Sequence, residues 1–304
     1  MKKVFQFSLG VLAAFASLFV SCDDGGNEGG GNNDLFCNVS VTNTVGGSVS
    51  ITDYLDNSSK VLIGADIEVV ANPESGYEFI GWFIDNSTTP VSTNTTFKFV
   101  ASRDVTLTAK FDRPKVDLGL PSGIKWAAYN VGATKPEEYG GYYAWGETEE
   151  KTDYSWDTYK WMDENKELVK YCDAPGEGII DNKTILEPQD DVAHVKWGGN
   201  WRMPTAAEQQ ELIDNCDWVF TTLNGVEGYK VIATNGNSIF FPSSGCRYRT
   251  NVYAVGVNAN MWSSSLDTDD SIYANYIFLN NESYKWDGSY TRYYGFSVRP
   301  VCTK

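Results

Sequence analysis

The chain has 304 residues, enough for two domains, with 42% hydrophobic and 14% aromatic residues to build their cores. Its formal net charge of −16 sets it against phosphate backbones and anionic head groups, which excludes nucleic acid as a partner. Six cysteines and one histidine, with no CxxC pair, argue against a zinc site.

Residues 1–21 read as a signal peptide. Lys2 and Lys3 form a short basic start, and the apolar run that follows is interrupted by Gln6 and Ser8, which suits a removed leader better than a membrane span. The run closes on Leu18-Phe19-Val20-Ser21-Cys22, which resembles the lipobox of bacterial lipoproteins. The resemblance implies a lipid on the Cys22 thiol and cleavage just before it; Phe19 stands where leucine is usual. Residues 22–35 form a Gly/Asn/Asp tether that cannot pack a core, and Asp23 to Asp34 spans roughly 20 Å on average. Acids directly after the cysteine resemble the surface-export signal of Bacteroidetes lipoproteins, which implies the outer face of the outer membrane. Beyond Cys22 there remain Cys37, Cys172, Cys216, Cys246 and Cys302. The odd count leaves at least one thiol free or paired between chains.

Residues 36–112 alternate with period two between turns. Residues 37–45, 47–51, 66–71, 77–85, 95–100 and 104–112 all read as strands, with no helical pattern of useful length. Gly46-Gly47 predicts a hairpin, and Asn72-Pro73 with Gly76 another turn. Trp82, in mid-strand among apolar neighbours, is expected in the core rather than as a sugar platform. Gly76-Tyr77, Gly81-Trp82, Val91-Ser92-Thr93 and the closing DVTLTAKF resemble the divergent Listeria–Bacteroides-type repeat of internalin-like surface proteins. That resemblance implies a small β-grasp-like spacer, present here in one copy.

Asp112-Arg113-Pro114-Lys115 marks a boundary, and a second domain occupies 115–304. Thr134 with Glu137 predicts a capping box for a short helical turn. Thr205 and Glu208 predict the cap of a principal helix whose apolar face carries Leu212, Ile213 and Cys216. Tyr229 to Ser243 reads as a hairpin with a type I′ turn at Asn235-Gly236. Residues 261–266, 273–280 and 293–302 read as further strands, so the domain is α+β and rich in loops. Gly140, Gly141 and Gly146 keep the backbone tight among large aromatics.

The segments VDLGLPSGIKWAAYNVGA, YYAWGET, DDVAHVKWGGNWRMPT, MWSSS and YYGFSVRPV resemble the Fibrobacter succinogenes major paralogous domain of Bacteroidetes surface proteins, from Val116 to Cys302. WRMPTAAE and GFSVRPV are also similar to segments of the formylglycine-generating enzyme family, which implies a C-type-lectin-like fold. Gln209 stands where that family has tryptophan, so the kinship is distant. The paired cysteines of its chemistry are not matched by Cys246 and Cys302.

The only histidine, His194, stands near Trp197, Trp201 and Arg202, and with no nucleophile beside it reads as scaffold. Arg202 is expected to satisfy loop carbonyls or pair with an acid. Glu187-Pro188-Gln189-Asp190 looks like the calcium motif of lectins, but it precedes the principal helix and reads as coincidence. Asp267, Asp269 and Asp270 read as a solvated loop, and Asp270-Ser271-Ile272 fits a short O-glycosylation acceptor pattern. Glu147, Glu149, Glu150, Asp153, Asp190 and Asp191 are available for glycosidase work, but a sequence cannot pair them. No catalytic set and no cofactor is therefore expected, calcium being the one metal left open.

Binding is the stronger expectation. Two predicted loops, 245–256 and 280–294, carry Tyr248, Tyr253, Tyr284, Trp286 and Tyr290 with Arg247, Arg249 and Arg292, the composition of a recognition surface. The expected molecule is a lipid-anchored surface protein with a β spacer and a head that binds glycan or protein. The alternatives are a surface glycan-processing enzyme and a structural component of a surface assembly.

Overall fold

The computed structural model describes residues 36–52, 59–280 and 283–303, without the side chains of 52 and 283–287. The predicted signal peptide, the tether and Cys22 lie outside the described residues. The described chain is β-rich.

The first domain holds β1 (Phe36–Asn43), β2 (Gly47–Thr52), β3 (Lys60–Leu62), β4 (Asp66–Pro73), β5 (Glu78–Ile84), β6 (Thr96–Val100) and β7 (Val105–Asp112). All six strands expected from alternation form; β3, too short to show a pattern, is an addition. They make two sheets, β3-β1-β7-β5 and β2-β4-β6. In the first, β1 runs parallel to β7 with Val39 opposite Val105. Period two directs Val39, Ile67, Val69, Trp82, Leu107 and Ala109 into one core. Trp82 is fully buried, and its indole N–H donates to the Asn94 carbonyl at 3.2 Å. The Gly46-Gly47 turn forms but does not close a hairpin, because β1 and β2 belong to different sheets. Gly46 has φ +106°, and side chains on either glycine would collide with the rings of Tyr77 and Phe111, so the pair allows the chain to change layers.

The second domain begins with β8 (Lys115–Val116) and β9 (Lys125–Ala127), and continues after a long irregular stretch with helix α1 (Val192–Trp197), β10 (Trp201–Arg202) and helix α2 (Ala206–Asn215). There follow β11 (Cys216–Leu223), β12 (Val226–Ala233), β13 (Ser238–Pro242), β14 (Cys246–Tyr248), β15 (Asn251–Tyr253), β16 (Asn258–Leu266), β17 (Tyr273–Asn280), β18 (Ser283–Thr291) and β19 (Val301–Cys302). They pair as β10-β19-β9-β8, β11-β12-β13, β14-β15 and β16-β17-β18. The α2 cap is as expected, Thr205 Oγ1 accepting from Glu208 N and Glu208 Oε2 from Thr205 N. Leu212 enters a core with Trp126, Val231, Phe241, Met261, Ile277 and Leu279. Gln209 is buried and donates to the Met261 carbonyl.

Four expectations are corrected here. Thr134 bonds Glu138 through both its N–H and its hydroxyl rather than pairing with Glu137, and no helix forms. The β12–β13 connection is a four-residue loop, 234–237, in which Gly236 has φ +85° and its N–H donates to the Ala233 carbonyl. Asn235 is absent from the left-handed region, so the turn is not type I′, which needs both central residues there. The predicted loops 245–256 and 280–294 are largely strand, as the β14–β15 hairpin and β18. Conversely, of the predicted strand 293–302 only Val301–Cys302 joins a sheet as an extended element; Gly295, Phe296 and Ser297 make single bridges to Arg247, Tyr143 and Met261.

Residues 128–190 have almost no regular structure, yet Gly141 to Glu147 is buried. Buried irregular backbone must find hydrogen-bond partners: Tyr154, Trp262, Tyr159 and Trp161 donate to the carbonyls of Tyr142, Tyr143, Trp145 and Gly146, and two arginines serve carbonyls on either side of that stretch. Arg292 is fully buried and donates to the carbonyls of Tyr171 (2.9 Å), Ser271 (2.8 Å) and Lys170 (3.1 Å) and to the Tyr159 hydroxyl. Arg299, equally buried, donates to the Ala127, Ala128 and Phe240 carbonyls and to Asn130. Replacing Arg292 with methionine keeps the volume but strands three carbonyls, so the urea midpoint of the purified protein is expected to correspond to a loss of about 3 kcal/mol or more.

Candidate functional site

Trp197 and Trp201, in the segment from His194 to Thr205, lie where the two domains meet. Asp191 caps α1, its buried carboxylate accepting the N–H groups of Ala193, His194 and Met203. Trp197 and Trp201 pack edge to face at 5.0 Å. The Arg113 guanidinium lies 3.8 Å from the Tyr77 ring and 5.1 Å from Trp197, and Trp201 donates to Asp112. The Tyr129 hydroxyl donates to the Gly76 carbonyl across the same junction. His194 Nδ1 is 3.3 Å from the Trp201 carbonyl oxygen. Arg202 does both things expected of it, bonding the Met203 carbonyl and forking onto Glu208. Burial alone would raise the Glu208 carboxyl; Arg202 and the Thr205 N–H hold it below the usual range.

The Glu187–Asp190 motif is filled by lysines. Glu187 pairs with Lys170 (2.5 Å) and Lys183 (2.8 Å), and Asp190 with Lys170 (2.5 Å) and Lys160 (3.1 Å), while the Tyr171 hydroxyl also donates to Asp190. Hydrogen bonds from Lys170 and Lys183 bring the Glu187 carboxyl down to about 2. Among the described residues no group of three His, Cys, Asp or Glu is placed to hold a metal ion, and the five described cysteines are unpaired. Ser271 is fully buried, its hydroxyl bonded to Asp173, so the folded chain does not present it for glycosylation.

The predicted recognition residues divide. Tyr248 and Arg249, at the tip of the β14–β15 hairpin, line an open cleft of about 450 Å³ with Trp156, Asp157, Met162, Lys166 and Tyr293. Tyr248 stacks on Tyr294 at 4.9 Å with the rings 12° from parallel. Tyr253, 47% exposed, flanks Tyr248 at 6.4 Å. Tyr290 meets Tyr294 edge to face at 4.7 Å, and Tyr293 does the same with Trp156 at 4.8 Å. A continuous aromatic surface results, from Trp156 to Tyr290. The Arg247 side chain is directed away from this cleft, 5.5 Å over the Tyr142 ring, as strand alternation requires. Arg292, counted with the exposed arginines from sequence, is corrected to scaffold by its complete burial. The side chains of Tyr284 and Trp286 lie outside the described residues, although β18 places their backbone opposite Leu279 and Ile277 of β17.

Trp156, Asp157, Met162, Lys166 and Tyr293 escaped the sequence reading. The one available signal was the aromatic density of Tyr154 to Trp161, which shows neither helical nor strand period. Gly245, φ +68°, lets the hairpin arm close, since a side chain there would strike the Tyr253 carbonyl.

Residues 37–115 match the family model of the divergent InlB B-repeat domain. The repeat resemblance of the first domain is thereby shown, and the match stops where the head begins. No curated protein matches the chain, and no solved structure does.

The lysine-held carboxylates have a folded-state value below the ordinary one. Their contribution to stability is present above about pH 4 and is lost as pH falls toward the folded value. Stability measured by urea titration is expected to decline between about pH 4 and pH 2, and Lys170→Met to show a weaker dependence in that window because Glu187 is then lowered by Lys183 alone.

Proposed function

We propose that this protein is a surface-anchored, non-catalytic binding protein that recognises glycan through the aromatic cleft of its second domain. The observation that carries the reading is the solvent-open wall of Trp156, Tyr248 and Tyr293. Rings supported from behind, as Tyr248 is by Tyr294, offer flat apolar faces suited to the C–H faces of sugars, with polar groups at the rim to engage hydroxyls. In this reading Cys22 carries the lipid, residues 23–35 and the repeat-like domain hold the head off an outer membrane, and the head has a C-type-lectin-like α+β fold. Support comes from the sequence resemblances and, for the spacer, from the match to a bacterial repeat. Recognition of a protein is the second reading, favoured by the exposed Val252, Tyr253, Val255 and Val257 beside the cleft.

Titrating the soluble form, residues 36–304, against an array of glycans and surface proteins is expected to give saturable glycan binding that weakens roughly tenfold or more in Tyr248→Ala. Binding indifferent to Tyr248 places recognition elsewhere. Cys22→Ser is expected to abolish fatty-acid labelling of the full chain and move it to the soluble fraction; labelling that persists sinks the anchor.

A further inference from the structure

The cleft carries charge as well as rings, and the placement of that charge is unusual. Its charged residues are Asp157, Lys166 and Arg249, so cations outnumber acids there on a chain whose net charge is −16. Both cations occupy left-handed backbone. Arg249 has φ +51° and Lys166 φ +65°. Arg249 is the first of two residues joining β14 to β15, Tyr248 lying opposite Asn251. Glycine, asparagine or aspartate takes such a position at least cost, and a long side chain there is disfavoured by contact between its Cβ and the following carbonyl. The strain is held from outside: the Arg249 backbone exchanges two hydrogen bonds with Tyr154, at 2.9 and 3.0 Å, and Tyr154 is itself fully buried. Lys166 closes a turn in which Asp163 accepts the N–H groups of Asn165 and Glu167. Neither turn requires a cation for its own geometry.

The guanidinium is also under-used. Arg249 Nε donates to the Tyr248 hydroxyl at 3.3 Å. Asp153 and Asp157 lie within electrostatic reach, but among the described residues Arg249 forms no ion pair, so its two terminal nitrogens are left for a partner. Lys166 pairs with Asp157, and both are largely exposed, so that pair opens at little cost. The cleft therefore holds a planar fork at the edge of an aromatic face, with a second cation able to turn to it. A guanidinium fork matches a carboxylate bidentately.

We propose that the cleft takes an acidic sugar, a residue bearing a carboxylate, with the sugar ring on Tyr248 and Trp156 and the carboxylate on Arg249, assisted by Lys166. This rests on the glycan reading above and narrows it to one ligand class. The strain at Arg249 is then the cost of presenting the fork, an instance of backbone stress kept at a functional site.

The test uses the protein carrying both domains, with oligogalacturonate and the neutral galactose oligomer of the same length as probes, and a sulfated galactan as a third. The expected result is about tenfold tighter binding of the uronate than of the neutral oligomer, reduced by salt. Arg249→Gly relieves the left-handed strain, so its unfolding midpoint is expected to be unchanged or higher while the preference for the uronate is lost. That combination separates a ligand-binding role from a structural one, which would lower the midpoint. Equal binding of uronate and neutral oligomer overturns the acidic-sugar inference and leaves the glycan reading standing. Sulfated galactan preferred over uronate overturns the carboxylate assignment. Failure of all three probes to bind, with Tyr248→Ala silent on the wider array, removes both.

Discussion

The head depends on the burial of two guanidinium groups. Residues 128–190 form a long, partly buried segment with only two single-turn 3-10 helices and no sheet ladder, so few of its carbonyls have regular partners. Arg292 and Arg299 come from the last turn of chain and reach back to it. Each presents donors in a rigid plane, and each is surrounded by carbonyl oxygens rather than by a carboxylate. A carboxylate would satisfy one site; the carbonyls tie together strands and loops distant in sequence. Aromatic faces complete the enclosure, with Trp145 4.8 Å from Arg292 and Phe241 4.6 Å from Arg299.

The aromatic cleft is a consequence of that arrangement. Arg292 holds Tyr159 and the carbonyl of Tyr171, which positions the turn bearing Trp156 and the stretch that follows it. Tyr154 then fixes Arg249 through paired backbone bonds, and the Arg247–Gly295 bridge holds the β14–β15 arm against the chain carrying Tyr293 and Tyr294. The three walls of the cleft thus come from residues near 155, 248 and 293, held in place largely by buried residues behind it, Arg292 and Tyr154. The junction with the first domain is built at another part of the head from the same materials: Arg113 between Tyr77 and Trp197, with Trp201 bonded to Asp112. The chain's only histidine stands behind that junction, its Nδ1 3.3 Å from the Trp201 carbonyl oxygen.

Much of the first domain was legible because a strand with one buried face declares itself by alternation. The strands seen in sequence from Cys37 to Asp112 all form, with the short β3 added to them, and Trp82 is core as its apolar neighbours imply. What alternation could not say was which strands share a sheet, so Gly46-Gly47 looked like a hairpin turn when it is a passage between layers. In the head, helix α2 was legible from its capping box, a purely local device. The loop-like appearance of 280–294 misled for the opposite reason: Gly288, Asp287 and the polar neighbours of β18 suppress a strand pattern that pairing with β17 nonetheless imposes.

From sequence alone came the proposed two-domain division, the acidic character, the strands of the first domain, the cap of α2, the predicted leader and the tyrosine-rich composition near 248 and 290. All of these rest on local order or on composition, which a chain carries whether folded or not. Only tertiary structure separated Arg249, exposed at a strained turn, from Arg292, buried and spent on carbonyls. It also brought Trp156 and Tyr293 to Tyr248 from segments about a hundred and about fifty residues away. Exposure and proximity belong to the packed chain, and an arginine's sequence neighbours do not reveal whether water or three carbonyl groups will meet its guanidinium.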